Sequence, residues 1–188
     1  RARLVGHDIG GMVAYAFVRR YPGSSRGAML LDAPVPGLGP WDAVKSSPIT
    51  WHINFQQTPD LPEQLIAGRE AIYLRHFLDP NTFSDADVTR YASHMLLLTL
   101  SIEEKFNAAQ QGAIGLPLVL APGENSPFEK LMPGFAEALR AHGCANVKIE
   151  VIKGGVHYVA DEQPGAVAEL IMRYAALKVR TNRELRLD

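Results

Sequence analysis

The chain has 188 residues, of which 47% are hydrophobic, and its formal net charge is -1. This is the profile of one soluble globular domain with enough apolar material for a core. Lysine and arginine are scattered along the chain, which excludes a basic surface for nucleic acid or an anionic membrane, and no apolar run is long enough to span a bilayer. We therefore expect a small molecule as the binding partner.

Cys144 is the only cysteine, which excludes an internal disulfide and is typical of a reducing cytoplasm. Because it comes just before a predicted strand, we interpret it as a passive thiol. The chain enters a strand almost directly after Arg1, so we expect no leader sequence. The sequence predicts a cytoplasmic protein.

The first predicted elements are a strand at residues 3–6, a helix at residues 10–20 and a strand at residues 27–31. The helix is apolar on most faces and is ended by Tyr21-Pro22-Gly23. A strand, a helix and a strand in this order predict a right-handed parallel crossover.

Residues 38–112 have a different character and contain no convincing strand. Asp60 and Ser84 are candidates to start two of the helices in this region. The predicted helices lie at residues 49–57, 62–68, 69–78 and 85–111.

From residue 116 the alternation of strands and helices resumes. The predicted elements are a strand at residues 116–121, a helix at 127–142, a strand at 147–152 and a closing helix at 163–179. We therefore predict an α/β fold whose core consists of residues 1–37 and 113–188, interrupted by a helical cap at residues 38–112. Such inserts lie over the carboxyl ends of the strands, where open α/β sheets bind their ligands.

The segment Gly6-His7-Asp8-Ile9-Gly10-Gly11 joins the first strand to the first helix and makes Asp8 the candidate nucleophile. Small residues around a central reactive residue are typical of a nucleophile elbow. A carboxylate there would attack carbon and form an alkyl ester, which suits epoxides and carbon–halogen bonds. The alternative is that Asp8 caps the helix; the neighbouring glycines favour the nucleophile.

Asp32 and His157 follow other predicted strands, and the carboxyl ends of parallel strands meet at one edge of a sheet. His157 is the candidate general base, with a solvated loop histidine as the alternative. Asp32 would orient its imidazole and stabilise the imidazolium. Glu124 is the competing acid, and it also suits an ordinary surface loop.

These motifs together resemble the α/β-hydrolase superfamily, in particular its epoxide hydrolases, with fluoroacetate-type and haloalkane dehalogenases as near relatives. Beside the elbow, the resemblance is carried by Asp32, by residues 51–70 and by residues 157–164. It implies the α/β-hydrolase fold with Asp8 as nucleophile, His157 as base and Asp32 as acid, and it implies neither a cofactor nor a metal.

The resemblance also implies substrate contacts from the cap. In epoxide hydrolases of this fold a cap tyrosine donates a proton or a hydrogen bond to the epoxide oxygen, and Tyr73 and Tyr91 are the available tyrosines. Trp51 and His52 resemble the Trp-His stretch of the dehalogenases, where the histidine and the following residue hold fluoride. That following residue is Ile53 here, which favours the epoxide.

Ile9 directly follows the nucleophile and has no donor in its side chain, in contrast to the tryptophan of haloalkane dehalogenases. This difference also favours an epoxide hydrolase over a haloacid or haloalkane dehalogenase. The backbone N–H of Ile9 is the candidate oxyanion donor during ester hydrolysis. The resemblance assigns the second oxyanion donor to a loop before the elbow.

A strand that leads into an elbow normally lies in the middle of a parallel sheet. We therefore expect that the amino-terminal strands of the fold are absent from these residues and that the chain alone is a poor enzyme. The alternative function is an inactive fragment or one part of a split hydrolase. An exposed edge beside the elbow strand favours a homo-oligomer or pairing with an amino-terminal segment.

Overall fold

A computed structural model describes residues 1–95, 101–110 and 112–176. Its contacts divide the chain into two compact units. The first unit comprises Arg1–Val44 and Ile102–Asp188, and the second comprises Lys45–Ser101. The domain boundaries at residues 38 and 112 stay a prediction from the sequence.

The first unit is built on a parallel sheet in which strands adjacent along the chain are also adjacent in space. The strands are, in sheet order, β1 (Ala2–His7), β2 (Ser25–Leu31), β3 (Leu118–Ala121) and β4 (Val147–Ile149). Within the described residues β1 pairs with β2 alone, so β1 lies at the edge of this sheet. The parallel order brings the carboxyl ends of all the strands to one side.

The helices of the described residues are, in chain order, α1 (Ile9–Arg20), α2 (Trp41–Ser46), α3 (Trp51–Phe55), α4 (Leu61–Ile66), α5 (Glu70–Leu74), α6 (Asp85–Ala92), α7 (Ser101–Ala109), α8 (Met132–Ala141), α9 (Val159–Glu162) and α10 (Pro164–Ala176). Short 3₁₀ turns precede α3 and α8. No helix in this part of the chain is both long and apolar enough to cross a bilayer.

Part of the core of the first unit lies between the central strands and the closing helix α10. Residues 28–31 of β2 and all of β3 are buried, as expected for strands covered on both faces. This buried cluster consists of Met29, Leu31, Val119, Ala121, Ile152, Val159, Val167, Leu170 and Tyr174, with Ile171 packed against it. The closing helix therefore buries the apolar stripe on which Val167, Leu170 and Tyr174 lie. Residues 177–179 of that prediction lie outside the described residues.

The second unit is a small helical body with its own apolar centre. Its buried side chains include Ile53, Ile66, Leu78, Phe83 and Val88. All of its described elements are helices and turns, in agreement with the absence of a strand pattern in this part of the sequence.

Several predicted elements are shorter or more broken than the sequence pattern indicates. The predicted helix at residues 85–111 is wrong as one element: α6 ends at Ala92, α7 begins at Ser101, and residues 96–100 and 111 lie outside the described part. The hydroxyl of Ser93 donates to the Arg90 carbonyl at 2.8 Å, and such local bonds compete with continuation of a helix.

Other differences lie at the ends of elements. The last strand stops at Ile149 rather than at residue 152, where an isolated bridge to Gly123 remains. The helix predicted at residues 127–142 begins as a 3₁₀ turn, and α8 starts at Met132. The short helices α2 and α9 were not predicted.

The two predicted helix starters behave differently. Ser84 caps α6 in a capping box: its Oγ accepts from the Asp87 N–H at 3.3 Å, and the Asp87 carboxylate accepts from the Ser84 N–H at 3.0 Å. Asp60 precedes α4 in a left-handed conformation, with φ 63°, and its side chain makes no capping bond. The prediction is confirmed for Ser84 and wrong for the Asp60 side chain.

Candidate active site

Asp8 occupies the sharp turn between β1 and α1. Its backbone has φ 50° and ψ -121°, a conformation that costs roughly 1–3 kcal/mol in a residue with a side chain. Its side chain accepts no capping bond from α1, which argues against the helix-cap interpretation, and is 39% exposed. A strained, accessible carboxylate at a strand–helix junction has the geometry expected of a nucleophile elbow.

Two glycines make room for this turn. A Cβ atom on Gly6 would lie 2.0 Å from the backbone oxygen of Gly10, and one on Gly11 would lie 2.5 Å from the Cβ of Ala33. A Cβ atom on Gly10 would meet nothing within 4 Å. The tight packing of strand against helix therefore requires glycine at positions 6 and 11, whereas Gly10 is not sterically required.

This difference gives a matched pair of stability predictions. Gly6→Ala is expected to lower the free energy of unfolding by about 1–3 kcal/mol, because the methyl group collides with backbone that cannot move cheaply. Gly10→Ala is expected to be neutral or to stabilise by up to about 1 kcal/mol, since alanine is the better helix former. Urea unfolding of both variants measures the two effects. Equal destabilisation by both substitutions would contradict the proposed packing of the elbow.

Asp32 directly follows β2 and is fully buried. Its Oδ1 accepts the Gly123 N–H at 3.1 Å, and its Oδ2 accepts the Ser126 hydroxyl at 2.9 Å. The same Oδ2 lies 2.7 Å from Nδ1 of His157. A buried carboxylate is costly unless it is hydrogen-bonded, and here donors from two loops satisfy it.

Ser126 is a residue of this site that the sequence analysis missed. It is buried, and its Oγ also accepts the N–H of Phe128 at 3.0 Å, which fixes the hydroxyl toward Asp32. The available signal was its position shortly after β3, at the same edge of the sheet as Glu124. A serine in a loop gives no pattern that points to a particular carboxylate.

His157 lies between two carboxylates. Its Nδ1 carries the proton, because the Asp32 carboxylate can only accept, and its Nε2 lies 3.8 Å from Oδ2 of Asp8. Burial lowers the pKa of His157, but the hydrogen bond to Asp32 and the negative charges of Asp8 and Asp32 outweigh burial and raise it to about 9. The structure thus brings together Asp8, Asp32 and His157.

The raised pKa predicts a dependence of stability on pH. A histidine whose pKa is 6.5 when unfolded and about 9 when folded stabilises the fold fully below pH 6.5, and this contribution is lost as the pH rises through about 9. Between these values the free energy of unfolding of the wild type is expected to fall more than that of His157→Gln. Urea unfolding at several pH values measures this difference. Parallel curves for the two proteins would contradict the ion pairs assigned to His157.

Glu124 and Ile9 were also predicted as site residues. Glu124 is exposed, and its Oε2 accepts the N–H of Gly154 at 3.0 Å, so the carboxylate that bonds to His157 is Asp32. Ile9 is the first residue of α1, where a backbone N–H has no acceptor within the helix. Its amide is therefore suited to an oxyanion next to Asp8.

The predicted cap residues belong to the second unit. Tyr73 is half-buried, and its hydroxyl oxygen accepts from Nε2 of Gln56 at 2.8 Å. Burial raises the pKa of Tyr73, although the bond from Gln56 opposes the change. Tyr91 is 43% exposed, and its ring lies 6.1 Å from that of Phe83.

Trp51 and His52 lie in α3, with ring centroids 6.3 Å apart and perpendicular planes. The Trp51 ring stacks on Phe77 at 5.9 Å and meets Tyr73 edge-on at 6.0 Å. These contacts form an aromatic group within the second unit. The roles of Trp51, His52, Tyr73 and Tyr91 as substrate contacts stay predictions.

A model of the alpha/beta hydrolase family matches residues 1–170. Cfl2 from Burkholderia cenocepacia is a similar solved structure, with a TM-score of 0.72, 30% identity, and coverage of 90% of this chain and 64% of that protein. No curated protein matches the chain.

Two similar solved structures are epoxide hydrolases. CorEH has a TM-score of 0.70 and 22% identity, over 93% of this chain and 67% of its own. A mutant of the epoxide hydrolase from Solanum tuberosum has a TM-score of 0.67 and 16% identity, and the match covers 91% of this chain and 68% of that protein. At these identities the similarity shows the fold, and the chain spans 64% to 68% of the length of the three structures. With its parallel sheet, its elbow and the family match over residues 1–170, this chain belongs to the alpha/beta hydrolase family, as the sequence predicted.

Proposed function

We propose that the chain carries the catalytic residues of a hydrolase that opens an epoxide to a diol through an ester on Asp8. The observation that carries the proposal is the position of His157, with Nδ1 at 2.7 Å from Asp32 and Nε2 at 3.8 Å from Asp8. A carboxylate nucleophile beside an oriented base is suited to forming an ester at carbon and then hydrolysing it.

In the first step the Asp8 carboxylate attacks a ring carbon and the carbon–oxygen bond of the epoxide breaks. The released oxygen takes a proton from a cap tyrosine, which becomes a phenolate. Burial disfavours a phenolate at Tyr73, but Gln56 donates to its oxygen at 2.8 Å and opposes this effect, so we place Tyr73 first as the donor. Tyr91 remains the alternative.

The second step uses a change in charge at Asp8. The ester has no negative charge, so the charge of Asp8 no longer raises the pKa of His157. The pKa falls, the imidazolium proton returns to the tyrosine phenolate and restores the tyrosine, and the neutral Nε2 becomes a base. Asp32 keeps Nδ1 protonated and the ring oriented throughout.

His157 then takes a proton from a water molecule that attacks the ester carbonyl of Asp8. The N–H of Ile9 stabilises the oxyanion that forms. Collapse of the tetrahedral intermediate breaks its bond to the alcohol oxygen, which takes the proton of the new Asp8 carboxyl group. The diol leaves, and the Asp8 carboxylate and the protonated His157 of the starting state are restored. The 3.8 Å between Nε2 and Oδ2 exceeds hydrogen-bonding distance, which is compatible with a water molecule acting beside this pair.

The alternative substrate is a carbon–halogen bond, which the same nucleophile could open. The side chain of Ile53, which follows His52, is buried and has no hydrogen-bond donor for a halide, so we favour the epoxide. Purified protein should form the diol from styrene oxide and release no fluoride from fluoroacetate. Fluoride release without diol formation would contradict the epoxide as the substrate and would favour the carbon–halogen bond.

A further inference from the structure

The loop that carries His157 is held from within by Glu162 of α9. One carboxylate oxygen of Glu162 accepts the N–H of Val156 at 2.5 Å, and the other accepts the N–H of Tyr158 at 3.2 Å. These amides flank His157 on both sides. One carboxylate therefore ties together the backbone on the two sides of the base.

His7, the last residue of β1, reaches this loop from the nucleophile's strand. Its Nε2 lies 2.8 Å from the backbone carbonyl oxygen of His157. A carbonyl can only accept, so Nε2 of His7 carries the proton. The ring centroids of His7 and His157 are 4.9 Å apart, and the His7 ring also lies 5.8 Å from that of Tyr158.

The spacing between nucleophile and base needs such a support. Asp32 fixes the Nδ1 side of His157 through a direct bond of 2.7 Å, whereas Nε2 and Asp8 are 3.8 Å apart and beyond hydrogen-bonding distance. His7 is covalently joined to Asp8 and hydrogen-bonded to the backbone of His157. We propose that His7 is a positioning residue that sets the distance between the Asp8 nucleophile and the His157 base.

This inference rests on the proposed function and adds a residue to it. Displacement of a catalytic group by about 1 Å can lower a rate by as much as 10²-fold. His7 should matter for ester hydrolysis, in which His157 acts as the base, and not for ester formation, in which His157 transfers no proton. Substitution of a residue that served folding alone would lower the rates of ester formation and ester hydrolysis alike.

Two substitutions separate the hydrogen bond from the ring. His7→Phe keeps an aromatic ring and removes the donor, whereas His7→Gln keeps a donor nitrogen and removes the ring. In single-turnover reactions with styrene oxide, His7→Phe is expected to slow ester hydrolysis by about 10- to 100-fold without changing ester formation. His7→Gln is expected to restore most of the hydrolysis rate.

NMR titration of the imidazole of His157 tests the same point without any substrate. The groups that face this ring are Asp8, Asp32 and the rings of His7, Tyr158 and Phe128. In His7→Phe the pKa of His157 should fall from about 9 toward 6.5, because a displaced loop weakens its contacts with the carboxylates, and in His7→Gln it should stay high.

The inference is overturned if His7→Phe keeps the wild-type pKa of His157 and the wild-type rate of ester hydrolysis. It is also overturned if His7→Gln lowers this pKa and this rate as much as His7→Phe does. If His7→Phe does not fold, the tautomer of His7 in the wild type decides: nitrogen NMR should find the proton on Nε2, and a proton on Nδ1 alone overturns the inference. If the wild type forms no ester, the proposed function fails, while the NMR comparison still decides the role of His7.

Discussion

Replacement of Asp8 by asparagine is expected to lower diol formation by at least about 10³-fold, because the amide oxygen is too weak a nucleophile to form the ester. The fold should persist, since the Asp8 side chain makes no capping bond to α1. The substitution also removes a negative charge that raises the pKa of His157, so this pKa should fall. Steady-state kinetics with styrene oxide and NMR titration of His157 measure the two effects.

Asp42→Asn is a matched control for this substitution. Asp42 is an exposed carboxylate in α2, and its replacement makes the same chemical change away from the elbow. The control should keep the wild-type rate and the wild-type pKa of His157. An Asp8→Asn variant that still forms the diol at the wild-type rate would remove Asp8 from the mechanism.

The His157→Gln variant is expected to accumulate the ester. Asp8 can still attack the epoxide, but no base activates the water, so turnover should fall by at least about 10³-fold after one equivalent has reacted. Intact mass spectrometry should find the protein heavier by the mass of one substrate molecule. Peptide mapping should locate the added mass at Asp8.

His142→Gln is the matched control for His157→Gln. The ring of His142 bonds to the carbonyl of Ala138 at the end of α8, so its loss should leave turnover unchanged and no ester should accumulate. If His157→Gln loses activity without accumulating an ester, His157 would instead assist a direct attack of water on the epoxide.

The parts of the fold that the sequence predicted well are those with a strong local pattern. The apolar runs of β2 and β3 predict strands that are buried in a parallel sheet, because such strands are covered on both faces. The apolar stripe of α10 predicts the helix face that packs on this sheet. Helix ends in the second unit were harder to predict. There, local side-chain bonds such as that of Ser93 to Arg90 decide where a helix stops, and the apolar period does not reveal them.

The same contrast holds for the candidate site. Asp8, Asp32 and His157 were predictable as a group because each follows a strand, and parallel strands end at one edge. The bonds of Ser126 to Asp32 and of His7 to His157 join positions 94 and 150 residues apart in the sequence. They depend on the paths of two irregular loops, for which the sequence has no periodic signal.

Labelling with heavy-oxygen water tests the ester on Asp8 most directly. After many turnovers of styrene oxide, the peptide that contains Asp8 should carry heavy oxygen, because each hydrolysis places a water oxygen in this carboxylate. In a single turnover of unlabelled protein, the diol should carry an oxygen from Asp8 and none from the water. Heavy oxygen in the diol of the first turnover, with none in Asp8 after many, would contradict the covalent mechanism.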